Sequence, residues 1–599
     1  MHSNLNISKQ SKAKIIQKLK ILYGKSESEK IYSELEVIIL KYKNKIKNKK
    51  QHRKQFSQKD VVLITYGDFI QDKRKPSLRI LNEFAEKNLK EIINIIHILP
   101  FYPHSSDRGF SVIDYKKVDP RLGNWQDIKK MNKNFDPMFD FVCNHVSSKN
   151  NWFEKYALGN RNYKDFFVAF DRNNKPNKKE IARVFRPRPS SLLKKCKLPI
   201  GEKWIWRTFS SDQLDLNYSN YKVLLKMLDI FLFYAHKKAE IIRLDAIGYI
   251  WKKIGTSCFL TKESHTFVQL LRSVLDEVNP STSIIAEINT GIFYKESMKY
   301  FGDGKNEAQM VYNFVFAPLA LHTFYTQNVT KISKYINQLN KEYRGNGNAF
   351  LNLLDSHDGI AVAGIEGKNM LGEFDAKKLL EKIKLKGGRV SYRTYKEKGR
   401  VPYELNITWW SALNDKNGKE SLSLKVKRYL ASRAIVLSVS GVPGIYLLGL
   451  FGIENNVMGV KKTGQKRDIN RRNLTEKEIN NFLNVGSGKE YLVFRGLTDL
   501  IKIRINEKVF HPNAKQRVLS IDKNIFSLLR TSIDKKERVL VLINVSGKTK
   551  NLKIDSKRYK IKNGSQFIDL ISKEEILVEN KVIDVSLEPY QIRWIKIKH

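Results

Sequence analysis

The sequence predicts a (β/α)8 barrel carrying inserted subdomains and a separate C-terminal β-domain. Eight β-like runs recur in order: VVLITY (61–66), IINIIHIL (92–99), FDFVC (139–143), EIIRL (240–244), SIIAEI (283–288), VYNFV (311–315), AFLNLL (349–354) and VPGIYL (442–447). Helical patterns separate most of them, so the strands pair in parallel, and eight such units close into a barrel. Four segments at or just beyond the ends of such runs carry charged or imidazole side chains: DFVCNH (140–145), IRLDA (242–246), AEIN (286–289) and SHD (356–358). Barrel enzymes keep their chemistry at the carboxyl ends of several strands. A short apolar run taken alone fits a buried helix as well as a strand, so the count carries this reading.

A chain of 599 residues is too long for one core, and two to four domains are expected. Residues 1–58 are polar with apolar positions at helical spacing (Ile15, Leu19, Leu22; Ile31, Leu35, Ile38) and end in the basic run KNKIKNKKQHRK. They read as a small helical extension whose charge run is a solvated face. The barrel is assigned to 59–504. Two gaps inside it, about 146–225 after the third strand and about 360–430 after the seventh, are too long for plain loops and read as insertions. From 505 to 599 the pattern turns to short alternating strands (IFSLLRTS, RVLVLINVSG, QFIDLI, IRWIKIK), a compact antiparallel β-domain. The stretch 434–453 is long enough for a membrane span. Its Gly441, Pro443, Gly444, Gly449 and Gly452 instead mark a helix end, a turn and a buried strand.

Composition narrows the function classes. At 41% hydrophobic the chain can bury large cores, which excludes general disorder. The 109 Lys and Arg against 61 Asp and Glu give a formal charge of +48, which raises the question of nucleic acid or a membrane surface as partner. The lysines are scattered, and no arginine-rich or aromatic nucleic-acid motif accompanies them, so neither partner is expected. Cys143, Cys196 and Cys258 show no metal or redox spacing, and a reducing compartment follows. The opening MHSNLNISKQSK lacks an apolar signal core, and a cytoplasmic monomer or homodimer is expected. No metal motif is present, so no metal and no cofactor are expected.

Asp245, Glu287 and Asp358 are the candidate catalytic groups. Two carboxylates can serve a glycosidic bond as nucleophile and acid/base, and a third can stabilise the cationic transition state. Asp245 follows Arg243 by two residues, so both side chains face the same way, and a guanidinium there would hold the carboxylate charged. Glu287 follows an apolar run, where desolvation raises a carboxyl pKa and keeps a proton available for the leaving oxygen.

Those four segments, in that order, resemble the signature regions of the α-amylase clan of glycoside hydrolases. RLDAIGYIWKKIGTSCF (243–259), PFYPHSSDRGFSVIDYKKVDPRLGNW (100–125) and RDINRR (467–472) resemble its sucrose-phosphorylase branch. EIN (287–289), YFGDGKNEAQMVYNF (300–314) and VPYELNITWW (401–410) look more like glucosylglycerate phosphorylases. The resemblance spans about residues 60–475 and, with the strand count, settles the barrel. It implies a retaining glucosyl transfer through a β-glucosyl ester on Asp245, with inorganic phosphate as co-substrate. Glucosylglycerate is the first donor, sucrose and sucrose 6′-phosphate the next. Water as acceptor would make the protein an α-glucosidase, and a catalytically silent basic binding protein is the remaining alternative. The resemblance further implies that His145 contacts the glucosyl unit, supported by Asp140. Asp107 and Arg471 would clamp its far hydroxyls, Phe110 would be the apolar platform, and His357 would act with Asp358. Tyr249 would approach phosphate. Asn289 stands where sucrose phosphorylases carry His. Lys252 and Lys253 could add charge for phosphate or a carboxylate.

Overall fold

In the computed structural model, residues 6–46, 56–188, 190–289, 294–343, 345–367, 370–395, 399–555, 566–576, 578–579 and 582–598 are described. Eight parallel strands close into a barrel: β1 (Val62–Thr65), β2 (Ile95–Ile98), β3 (Asp136–Val142), β4 (Ile241–Asp245), β5 (Ser283–Ala286), β6 (Met310–Asn313), β7 (Ala349–Asn352) and β8 (Val442–Tyr446). Each pairs with its neighbours in sequence, and β8 pairs with β1 to close the ring. All eight coincide with the predicted runs. Nearly every strand residue is buried, as expected for parallel strands covered on both faces.

The stretch 434–453 divides into the end of the helix Leu422–Ser438, strand β8 and the turn of helix Leu447–Leu450. Among the described residues no helix is long and apolar enough to cross a membrane.

Both long gaps hold inserted structure. After β3 a short strand, His145–Ser147, pairs with Gln213–Asp215, and a three-stranded sheet (Ala169–Phe170, Gly201–Trp206, Leu193–Leu198) lies between them. After β7 come a helix, Glu373–Leu385, and the hairpin Arg389–Tyr395/Gly399–Asn406, whose register shifts at Ser391/Tyr392. The helices that return to the barrel start at Tyr221 and Leu422, inside the expected insertions. Polar caps at Asn220 and Ser421 set those starts, each side chain accepting a backbone N–H of the first turn, and apolar periodicity does not mark them.

Two helices, Lys9–Tyr23 and Lys25–Lys45, meet at Gly24, which adopts a positive φ of 87°. Their apolar faces (Leu19, Leu22, Leu35 and Ile39 among them) pack with the barrel helices Tyr221–His236 and Lys262–Val278. The basic run starts inside this fold: its first residue, Lys43, bonds Glu277, so that lysine is not part of a solvated face, and the run's residues 47–54 lie outside the described residues. Tyr23 donates to the backbone oxygen of Tyr218 at 2.9 Å.

At the C-terminal end a six-stranded antiparallel sheet and a three-stranded sheet build a second core. Two fully buried arginines line its junction with the barrel, and Arg530 reaches across to Ser440 Oγ at 2.6 Å. Arg504 donates to Leu437, Gly441 and Phe510, and Arg530 to Val509 and His511. Burial lowers them to about 10 and about 9.

Candidate active site

Parallel register brings the signature residues together. Arg243 lies opposite Asp140, and Leu244 lies opposite Ala286, so Asp245 and Glu287 leave adjacent strands at the same end. The guanidinium of Arg243 sits between them. Its Nη1 is 2.9 Å from Asp245 Oδ1 and also bonds Asp140, while Nη2 is 3.9 Å from Glu287 Oε2. Arg243 therefore does not serve Asp245 alone, as its spacing suggested; three carboxylates share one cation. His97 on β2 completes the group, with Nε2 2.7 Å from Asp140. Directly after Asp245, Ala246 takes a left-handed conformation (φ 51°), which turns its N–H onto Glu287 Oε2 at 2.8 Å.

Asp358 lies in the loop beyond β7 and meets a second set of cations. Its Oδ1 is 2.7 Å from Arg467, 3.3 Å from His357 Nε2 and 3.5 Å from Arg471. Arg471 is 3.6 Å from Asp107 and donates to the His357 backbone oxygen at 2.7 Å. Asp107 and Arg108 have φ of 50° and 47°, and Gly109 has φ of 112°. A Cβ on Gly109 would stand 2.2 Å from the Pro100 oxygen, so only glycine permits the turn that presents Asp107.

Three expected contact residues are already engaged by protein, wholly or in part. Both ring nitrogens of His145 are engaged by protein: Nε2 with the Phe110 oxygen at 3.0 Å and Nδ1 with Asn144 Nδ2 at 3.2 Å. A bond to sugar would have to replace one of them. The Lys252 side chain is 5% exposed, 2.7 Å from Asp215 and 2.5 Å from Asn144 Oδ1, and is spent inside the protein rather than available to phosphate. Phe110 stacks on His357 with centroids 5.1 Å apart, so part of the expected platform is covered. Tyr249 sits in an aromatic cluster with Phe259, Phe209 and Phe185. Asn289 Oδ1 is buried and has no hydrogen-bond partner among the described residues. Lys253 is exposed.

A scan of family models matches the α-amylase catalytic domain over residues 87–400. The chain belongs to the α-amylase family. It is 37% identical over 533 residues to a glucosylglycerate phosphorylase of Spirochaeta thermophila, covering 88% of each chain. It is 36% identical over 529 residues to the Escherichia coli glucosylglycerate phosphorylase, covering 88% of this chain and 90% of that one. A solved sucrose 6F-phosphate phosphorylase from Thermoanaerobacter thermosaccharolyticum superimposes with a TM-score of 0.70 at 28% identity, covering 81% of this chain and 94% of that chain.

Electrostatics separate the carboxylates of this α-amylase-family site. Burial raises Asp245 and Glu287, Arg243 opposes, and neighbouring carboxylates add to the rise. They titrate as a pair that retains a proton. Arg243 contacts Asp245 directly and stands farther from Glu287, which favours the proton on Glu287, while the Ala246 N–H bond to Glu287 Oε2 and the stronger burial rise of Asp245 work against it. For Asp358, burial pushes the carboxyl up, but Arg467, His357 and Arg471 outweigh it and hold the group ionised. Burial likewise depresses His145 to about 4, which keeps the ring neutral.

Several site residues were not singled out from sequence. Gln213, on the first insertion, donates to the Phe110 oxygen at 3.3 Å, and its buried Oε1 has no partner among the described residues. The Tyr312 ring on β6 faces the Arg243 guanidinium at 5.6 Å. Arg467 stands within the quoted RDINRR, and Tyr403 and Glu404 within VPYELNITWW, so the motifs flagged the segments without giving the contacts. Six cations (Arg108, Arg188, Arg400, Lys466, Arg467, Arg471) and three carboxylates line an open cavity of about 650 Å³ at this end of the barrel. Among the described residues no cluster of three or more His, Cys, Asp or Glu is arranged to hold a metal ion.

Proposed function

We propose that this enzyme is a retaining α-glucoside phosphorylase that moves glucose from 2-O-α-glucosylglycerate to inorganic phosphate. Glu287 gives its proton to the glycosidic oxygen while Asp245 attacks the anomeric carbon, so glycerate leaves and a β-glucosyl ester forms. Phosphate then attacks that carbon from the vacated face. Its proton passes to Glu287, the ester bond breaks, and α-glucose 1-phosphate leaves with Asp245 free again. Asp358, held ionised, faces the positive charge that develops on the sugar ring. Asp107 and Arg471 hold the far hydroxyls, with Phe110 and His145 beside the ring. Tyr249 and Asn289 belong to the acceptor side. Each of these steps uses the chain's own side chains, with phosphate as substrate.

The observation that carries the reading is the cationic cavity whose lining residues Arg467 and Arg471 also contact Asp358. Both acceptors, phosphate and glycerate, are anions, and a cavity with six cations to three acids attracts them where a neutral sugar would gain nothing. One further cation, Arg393, lies 4.9 Å from the ring of Phe185 and 6.0 Å from that of Tyr403, on the side of the site that holds Tyr249. The glucosylglycerate phosphorylases at 36–37% identity favour that donor over sucrose or sucrose 6′-phosphate. A donor panel of glucosylglycerate, glucosylglycerol, sucrose and sucrose 6′-phosphate, each with and without phosphate, tests the proposal. Glucose 1-phosphate is expected fastest from glucosylglycerate. Equal release of free glucose in the absence of phosphate would defeat it.

A further inference from the structure

One short segment links the sugar side of the site to the acceptor side. Residues Lys466–Asn470 form a 3-10 turn that touches both. On the sugar side, Arg467 Nη1 is 2.7 Å from Asp358, and Asn470 Nδ2 donates to the Ser356 oxygen at 2.8 Å. On the other side, Arg467 grips Glu404 with two bonds, Nε to Oε1 at 3.0 Å and Nη2 to Oε2 at 2.7 Å. Lys466 Nζ adds a bond to the Val390 oxygen at 3.0 Å.

Glu404 belongs to the hairpin Arg389–Tyr395/Gly399–Asn406, which also carries Arg393 and Tyr403. The Arg393 guanidinium lies 4.9 Å from the ring of Phe185, a neighbour of Tyr249. Glu404 is 2% exposed, and its other contact is Asn406 Nδ2 at 2.6 Å. That same Asn406 amide donates to the backbone oxygen of Asp358 at 3.3 Å. A buried carboxylate of this kind is held by its partners, and losing its charge releases the fork that it anchors. Gly359, next to Asp358, approaches so closely that a Cβ there would meet the Leu405 oxygen at 2.3 Å. Asp358 and the hairpin are thus fastened at three points.

We propose that the Glu404–Arg467 pair positions the hairpin against the site and thereby sets how the glucosyl group is divided between phosphate and water. Glu404 is a positioning residue: it touches Arg467 and Asn406, not the sugar. The inference rests on the phosphorylase reading above. The two halves of such a reaction report separately. With α-glucosyl fluoride as donor the leaving group is one atom, so kcat/KM for the fluoride reads transfer to Asp245 without the acceptor cradle, and kcat/KM for phosphate reads the second half.

Glu404→Gln is expected to leave kcat/KM for the fluoride within about threefold of the wild type. It should lower kcat/KM for phosphate by about tenfold or more and raise the share of glucose over glucose 1-phosphate. Glu404→Asp, which keeps the charge, should show the smaller phosphate defect, and if the glutamine variant does not fold the same comparison is made with Glu404→Asp. Equal losses in both halves, or an unchanged division between phosphate and water, would overturn the inference and leave the phosphorylase reading intact. A wild-type enzyme that ignores phosphate would overturn both.

Discussion

Replacing Lys252 with methionine isolates the buried ion pair that ties the segment after the nucleophile to the first insertion. Lys252 contributes the 2.7 Å contact to Asp215 and the 2.5 Å bond to Asn144. Asp215 is fully buried. Without the lysine it keeps three donors: Thr208 N at 2.9 Å, Thr208 Oγ1 at 2.6 Å and Asn144 Nδ2 at 3.1 Å. Breaking a buried pair from one side costs about 3–5 kcal/mol, and three surviving donors place this case at the low end, about 3 kcal/mol. Since 1.4 kcal/mol is tenfold, local opening of residues 247–260 should become about a hundredfold easier. Native-state hydrogen exchange read by mass spectrometry measures this directly. The double variant Lys252→Met, Asp215→Asn removes the stranded charge and should recover most of the loss. Protection within threefold of wild type in the single variant would refute the reasoning, as would a double variant no better than the single one.

Other outcomes follow from the charges around the sugar site. Asp245→Asn should abolish turnover yet stabilise the fold by about 1–2 kcal/mol at pH 7. The buried Asp245–Glu287 pair keeps a proton that the two carboxyls would lose in the unfolded chain, so the wild type loses stability as pH rises from about 4, and the variant, which removes one charge of the pair, should lose its advantage below that pH; a variant less stable than the wild type at pH 7 contradicts this. Asp358→Asn should act oppositely in thermal unfolding. That carboxyl is lowered, so the stability it contributes is present above about pH 4 and lost as pH falls through the lowered folded value. Gly109→Ala should cut kcat/KM for the donor by about tenfold, because the Cβ would meet Pro100 and displace Asp107; unchanged kinetics would mean that Asp107 is not held by that turn. Leu19→Ala should cost about 2–5 kcal/mol, since Leu19 is fully buried in the core shared with the barrel; a change below 1 kcal/mol, read by urea denaturation, would show that the N-terminal helices contribute little.

The barrel was legible because its strands are short apolar runs separated by helical patterns, and because Asp245, Glu287 and Asp358 stand at or beyond three of their ends. Register then follows from parallel pairing. Contacts between distant loops were not legible. Gln213 meets Asp107 across 106 residues, and Arg467 meets Glu404 across 63. Neither spacing leaves a local pattern. Lys252 misled for a related reason: a lysine near a catalytic loop reads as charge available to an anionic substrate until Asp215, its actual partner, is brought beside it by the insertion. The His145 ring is engaged by the amide of its neighbour Asn144 and by the Phe110 oxygen, and the latter is supplied only by the fold of the 104–112 loop.

The central claim is that glucose passes from Asp245 to phosphate with its anomeric configuration retained. Proton NMR of the first product formed from glucosylglycerate and phosphate tests it most directly. The account predicts α-glucose 1-phosphate as the initial signal, absent with Asp245→Asn; β-glucose 1-phosphate, or free glucose at an undiminished rate when phosphate is left out, would contradict it.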